Sequence, residues 1–286
     1  MIVDFHTHIF PPSVKEDRPR YLERDPGFRK IYAQPMARIA TAEELIDSMD
    51  QWGIEVSVVM NFGWSSQDLC AETNNYIIEA VQKYPRRLVG FCTIQPKAGA
   101  VALKELERCA AAGLRGIGEM RPDDQGFELD DVEVLGPVVE VAHRCGMVFL
   151  THSSEPVGRS YPGKGEVTPD KLYRFITTFP QLTVVLAHWG GGLPFYSLMP
   201  EVAKAFQNTY LDCAATRFLY DSRVFQAVGD LLGYDRILFA SDYPLVTQGQ
   251  ALTDIRALEL SEESRAAILG GNAQRLLSIT RGRFAT

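Results

Sequence analysis

Short β-branched runs alternate with amphipathic stretches along the whole chain, and no other feature constrains the fold as strongly. Strand-like runs fall at 2–6, 56–61, 88–94, 115–120, 147–152, 183–188, 209–214 and 236–242. Helix-like stretches lie between them. The first starts at the capping box "TAEE", where Thr41 caps and Glu44 reaches back. Others cover about 70–83, 99–112, 131–145, 169–179, 194–206, 221–232 and 250–258, with a last pair near 261–279. Eight strands, each followed by a helix and without internal repeat or linker, predict an α/β fold: a (β/α)8 TIM barrel spanning 1–286 as one domain. A doubly wound open sheet is the rival, but no G-x-G-x-x-G follows a strand. The run "HWGGGL" is glycine-rich yet begins with a histidine at a strand end, so it is not a phosphate fingerprint.

Two connections are unusually long: 9–40, rich in Pro and Arg, and 153–168, "SSEPVGRSYPGKGEVT". Both follow strands, so both are expected over the C-terminal face, as lids on a pocket. The net charge of −7 argues against a polyanionic partner. The basic cluster Arg18, Arg20, Arg24, Arg29 and Lys30 is interrupted by Glu16, Asp17, Glu23 and Asp25, which reads as a solvated or pocket-facing loop rather than a nucleic-acid surface. Five scattered cysteines (Cys70, Cys92, Cys109, Cys145, Cys213) never form a C-x-x-C pair, which fits buried thiols in a reducing compartment. No signal peptide and no membrane-length apolar run are visible, so a cytoplasmic protein without membrane contact is expected.

Barrel enzymes build their sites where strands end at the C-terminal face. Here strand 1 ends with His6 and His8, strand 4 with Glu119, strand 5 with His152, strand 6 with His188 and strand 8 with Asp242. Residues i and i+2 share a face of a strand, so His6 and His8 can enter the barrel together. By the same period, His188 is expected to share a face with Leu186 and Val184, and Asp242 with Ala240 and Leu238. Taken singly, each residue has an ordinary reading: a turn cap for Asp242, or a carboxylate paired with Arg121 for Glu119. As a set they place four of the five histidines on one rim. That pattern predicts a divalent metal site, with imidazole and carboxylate donors suited to Zn first and to Mn or Fe as well. His143 falls in mid-helix, as a surface or packing residue.

"DFHTHIF", "AHWGG", "LFASDYP" and the closing "GNAQRLL" resemble the amidohydrolase superfamily, in its amidohydrolase-related branch, which includes aminocarboxymuconate-semialdehyde decarboxylase and related aromatic-acid decarboxylases. The resemblance implies a (β/α)8 barrel with a divalent metal and suggests a homodimer. By motif, His6, His8, His152 and Asp242 correspond to metal-ligand positions. His188 corresponds to a position that binds a second metal or works as acid/base beside a single one. Glu119 departs from the decarboxylase pattern and resembles the TatD-like hydrolytic members, where such a carboxylate can bridge two metals. One or two ions are therefore expected.

The expected activity is metal-dependent hydrolysis of a small, anionic amide, lactone or ester. A metal-activated water would serve as nucleophile, Asp242 would move its proton, and His188 would help polarise the oxygen. The alternative is non-oxidative decarboxylation of a small aromatic or unsaturated acid, with His188 or Asp242 protonating carbon. A non-catalytic metal-binding module is the remote third reading. Candidate substrate contacts are Arg121, Arg159, Tyr161, Trp189 and Arg217, since Arg can clamp a carboxylate in bidentate fashion. Trp64 is a second possible aromatic wall, and Asp4 a possible support beneath the metal.

Overall fold

The computed structural model describes residues 1–278. Eight parallel strands run in the order β1 to β8, namely Val3–His8, Val56–Met60, Leu88–Cys92, Gly116–Met120, Val148–Thr151, Val184–Leu186, Thr209–Asp212 and Ile237–Leu238. β8 returns to β1 through backbone bonds from Phe5 N–H to Phe239 O (2.8 Å), Asp242 N–H to His6 O (3.0 Å) and His8 N–H to Tyr243 O (2.7 Å). These bonds close the sheet into the expected barrel, which removes its free edges.

Two apolar layers follow from the strand alternation. Val3, Phe5, Val58, Phe91, Leu150 and Leu238 belong to the cluster that fills the barrel. Ala273 and Leu277 join this cluster from the C-terminal segment. The larger outer layer packs strand residues such as Ile117, Phe149 and Leu186 against the helices. Helices Ala42–Trp52, Gln67–Lys83, Ala100–Ala111, Val132–Arg144 and Pro169–Thr178 lie close to their expected ranges. The Thr41/Glu44 capping box forms as read.

The segment 9–40 is not a plain loop. It folds into three short helices, Pro12–Glu16, Arg18–Arg24 and Pro26–Tyr32, each with proline in its first turn. Phe10, Tyr21, Phe28 and Tyr32 from this segment pack with Phe62 and Trp64 from the strand-2 connection in a third apolar cluster. The segment 153–168 contains turns and no helix. Among the described residues no helix is long and apolar enough to cross a membrane. Four cysteines are buried, whereas Cys145 is exposed.

Candidate metal centre and active site

The strand ends bring every expected donor to one place, although not always by the expected register. The β1–β2 pairing shifts between Asp4 and Thr7, a bulge that lets Val3 and Phe5 fill the barrel while His6 and His8 converge above them. His188 does not continue the alternation of β6. The strand stops at Leu186, and Val184 and Leu186 belong to the outer layer rather than to the barrel filling. Residues 188–192 then all take positive φ, which turns the His188 ring to the rim independently of strand period. Glycine is required in this turn. A Cβ on Gly191, at φ +57°, would lie 2.4 Å from Ser154 O. Ala240 likewise belongs to the outer layer, while Leu238 fills the barrel. Asp242 itself sits at φ +66°, another strained position at the site.

At the floor, His6 Nε2 and His8 Nε2 stand 3.0 Å apart. Asp242 Oδ1 lies 3.3 Å from His8 Nε2 and 3.9 Å from His6 Nε2. Glu119 is 3% exposed and faces both histidine pairs. Its Oε2 is 3.9 Å from His8 Nε2, while Oε1 is 2.8 Å from His152 Nδ1 and 3.4 Å from His188 Nε2.

The outward ring nitrogens are tied down. His6 Nδ1 meets Asp212 Oδ2 (2.7 Å), His8 Nδ1 meets Asn61 O (3.3 Å), and His188 Nδ1 meets Ala214 O (3.2 Å). Carboxylate and carbonyl oxygens only accept, so these Nδ1 atoms carry the protons and donate. The Nε2 lone pairs of His6 and His8 are then left facing each other, an arrangement that calls for a shared proton or a cation. His152 is oriented oppositely, with Nδ1 toward Glu119 and Nε2 3.2 Å from Ser154 Oγ.

A divalent cation fits this set. Donors about 2.0–2.2 Å from one ion stand roughly 3.0–3.5 Å apart, close to the separations of His6, His8 and Asp242. The triplets His6/His8/Glu119 and Glu119/His152/His188 each bring one donor atom per residue within 4.8 Å of the others. The electrostatics agree. Burial works against a charged His6, but the charge and hydrogen bond of Asp212, with Glu119 and Asp242, outweigh it and raise its pKa to about 10. His188 rises to about 9 because Glu119, Asp242 and Asp212 overcome the same penalty. Burial, reinforced by the Arg121 charge, lowers His152 to about 4. Burial pushes the Glu119 and Asp242 carboxyls up, yet the surrounding imidazoles bring both below the ordinary range. The pocket thus selects positive charge.

Asp212 was not singled out from the sequence. It is fully buried at the end of β7, and its Oδ1 also accepts from the His188 and Ala214 N–H groups (2.9 and 3.1 Å). One carboxylate therefore orients both a floor histidine and the His188 turn. Its signal was available as the only carboxylate inside the strand-7 run "TYLDCA". Asp4 supports the floor from below, accepting from Ser241 N–H and Oγ–H (2.9 and 2.6 Å) and from Gln248 Nε2 (2.9 Å).

Above the floor opens a cavity of about 450 Å³ whose lining includes Tyr32, Phe62, Arg121, Arg159, Tyr161 and Phe218. Arg121 is 4% exposed and donates to Asp124 Oδ2 (2.7 Å) and Gly163 O (2.9 Å), with Nη1 3.8 Å from Glu119. Arg159 reaches Phe218 O (2.7 Å), and Tyr161 O–H donates to Glu155 (3.0 Å). Three expected contacts fall elsewhere. Trp189 points away because of the left-handed turn; it is fully buried against Phe225 and donates to Thr216. Arg217 lies outside the cavity, paired with Asp254 at the surface. Trp64 is buried in the third apolar cluster, bonded to Asn61 and Thr73.

The amidohydrolase family model matches residues 3–279. A 2-amino-3-carboxymuconate-6-semialdehyde decarboxylase from Dictyostelium discoideum is 24% identical, over 99% of this chain and 93% of its own length. A gamma-resorcylate decarboxylase from Polaromonas sp. is 25% identical, over 82% and 86%. In fold, the chain is similar to 5-carboxyvanillate decarboxylase from Sphingomonas paucimobilis, with a TM-score of 0.81, 20% identity and coverage of 98% and 99%. It is also similar to a dihydroxybenzoic acid decarboxylase from Polaromonas sp. with bound manganese and the inhibitor 2-nitroresorcinol, with a TM-score of 0.76, 20% identity and coverage of 100% and 99%. The chain belongs to the amidohydrolase family.

Proposed function

We propose that the chain is a metal-dependent non-oxidative decarboxylase of a small aromatic or unsaturated acid. The observation that carries this reading is that the two curated relatives, aligned over most of the chain, both bear the names of decarboxylases. The hydrolytic expectation drew on the same donors, and the relatives weigh against it. Manganese in the related structure supports Mn over the Zn expected from sequence.

His6, His8, His152 and Asp242 would hold the cation, with Glu119 as a further carboxylate beside them. Bound there, a divalent ion supplies positive charge that attracts the substrate carboxylate and a neighbouring oxygen. When the C–C bond breaks, CO2 leaves and the electron pair stays on the substrate carbon, which must then take a proton. His188 is the donor in this reading. Its Nδ1–H is held by Ala214 O and its Nε2 faces the cluster, so that nitrogen is placed to carry the proton the substrate carbon takes. Phe62, Phe218 and Leu245 line the cavity and would exclude water from the carbon being protonated.

The test is release of CO2 from 2,6-dihydroxybenzoate and 5-carboxyvanillate by the Mn-loaded protein. His188→Gln should lower kcat by about 10²–10⁴. Hydrolysis of a lactone, ester or amide, with no CO2 from either acid, would overturn the reading.

A further inference from the structure

Ser154 is fully buried just beyond β5, where the 153–168 connection begins, and its side chain serves two masters. Oγ lies 3.2 Å from His152 Nε2 and accepts from Gly165 N–H (2.9 Å), on the returning arm of the same connection. The Ser154 N–H donates to Val167 O on that arm (2.9 Å), and its carbonyl is packed closely against Gly191. The hydroxyl therefore cannot move without disturbing either the imidazole or the arm. The Tyr161 hydroxyl stands beside Ser154 and donates to Glu155 Oε2 (3.0 Å). Arg159, Tyr161, Pro162 and Gly163, from the same connection, form one wall of the cavity.

The direction of these bonds depends on which ring nitrogen of His152 carries the proton. Nδ1 is 2.8 Å from Glu119 Oε1, and a carboxylate only accepts. While that bond is made the proton sits on Nδ1, so Nε2 accepts the proton of the Ser154 hydroxyl. Nδ1 is also the nitrogen that faces the other donors, so it is the atom His152 can offer a cation. A ligating nitrogen needs its lone pair, which places the ring proton on Nε2. Nε2 then donates to Ser154 Oγ. That oxygen accepts twice, from His152 and from Gly165, and the serine's own proton must turn away from the ring. The Tyr161 hydroxyl oxygen is the acceptor beside it.

We propose that Ser154 is a positioning residue through which the cation site orders the 153–168 connection as a lid on the cavity. A cation on His152 reverses the serine's hydrogen bond and directs it to Tyr161, adding one bond between the rim and the lid. Coupling is reciprocal: whatever removes that bond weakens cation binding by the factor that the cation orders the lid. One neutral hydrogen bond sets the factor at about two- to tenfold. The wall that carries Arg159 and Tyr161 is thereby completed by the metal, before substrate arrives. This rests on the cation part of the function proposed above and is independent of the reaction catalysed.

Lid order is read from the rate of tryptic cleavage after Arg159, an exposed lid residue, in the full chain with and without saturating Mn²⁺. Mn²⁺ affinity is read by electron paramagnetic resonance of the free ion. In the unaltered protein Mn²⁺ should slow this cleavage about two- to tenfold. Tyr161→Phe keeps the ring without the hydroxyl; Kd for Mn²⁺ should rise by the same factor, and Mn²⁺ should no longer slow cleavage. The ratio with and without Mn²⁺ cancels whatever the lost Glu155 bond does to the lid by itself. Ser154→Ala should raise Kd about tenfold or more and likewise abolish the protection. Tyr161→Phe added to Ser154→Ala should then change Kd by less than about twofold, because both act through one bond. Tyr161→Phe decides the matter alone should Ser154→Ala fail to fold. Cleavage indifferent to Mn²⁺ in the unaltered protein, an unchanged Kd in Tyr161→Phe, or additive losses in the double variant would each overturn the coupling while leaving the cation site standing. No Mn²⁺ binding by the unaltered protein would remove both.

Discussion

Asp212→Asn isolates the orientation of the metal donors from the donors themselves. The carboxylate accepts on both oxygens: from His6 Nδ1 at 2.7 Å on one, and from the His188 and Ala214 N–H groups at 2.9 and 3.1 Å on the other. An asparagine can satisfy one side only. With its NH2 toward His6, the ring must move its proton to Nε2, which removes the lone pair aimed at the floor. With its NH2 toward the turn, two buried N–H groups lose their acceptor, at about 1–3 kcal/mol each. Either way the donor set is degraded. Partners of ligating histidines are worth about 10–100-fold in metal affinity, or roughly 1.4–2.7 kcal/mol at tenfold per 1.4 kcal/mol. Titration with Mn²⁺, reading free ion by electron paramagnetic resonance, should show Kd raised by that factor. A variant that binds Mn²⁺ within twofold of the unaltered protein would refute the reasoning, because the Nδ1 partner would then be irrelevant to the site.

Other consequences are narrower. Gly191→Ala places a Cβ 2.4 Å from Ser154 O at a positive φ; a loss of about 3 kcal/mol or more in chemical denaturation, together with a lower kcat through the displaced His188, is expected. Arg217→Ala breaks only the surface pair with Asp254, so Mn²⁺ affinity should be unchanged and stability should fall by no more than about 1 kcal/mol. Burial raises the Glu105 carboxyl, but Arg108 and Asn74 outweigh it and bring the pKa below the ordinary range. Its contribution is therefore fully present above the unfolded pKa and lost as pH falls through the folded one. Glu105→Gln should cost stability at pH 7, and the difference from the unaltered protein should shrink in acid; a constant difference across that window would contradict the assignment.

The barrel and its rim were legible because both follow from local pattern. β-branched runs spaced by helical stretches specify the alternation, and polar residues closing apolar strands announce themselves against that background. His6, His8, Glu119, His152, His188 and Asp242 were all readable in this way. The failures share a different cause. Trp189 was a candidate pocket wall because it lies just beyond a strand end, but residues 188–192 all take positive φ there and its ring packs against Phe225. Arg217 follows a strand, but the connection turns it toward Asp254. Asp212 went unnoticed because its importance lies in what two other strand ends present to it. The three helices within 9–40 have local signals, a proline in each first turn and Asp25 as a side-chain cap, but each is too short to show a helical apolar period. Tyr32 depends on the packing of those helices, so no strand or motif pointed to it.

The central claim is that residues from separate strand ends act together as one cation site. An anomalous difference map at the manganese edge, from crystals of the Mn-loaded protein, tests it most directly. The account predicts a peak bonded to His6, His8, His152 and Asp242 at the barrel's C-terminal rim. A map in which manganese lies elsewhere, or in which that rim stays empty at saturating Mn²⁺, would contradict it.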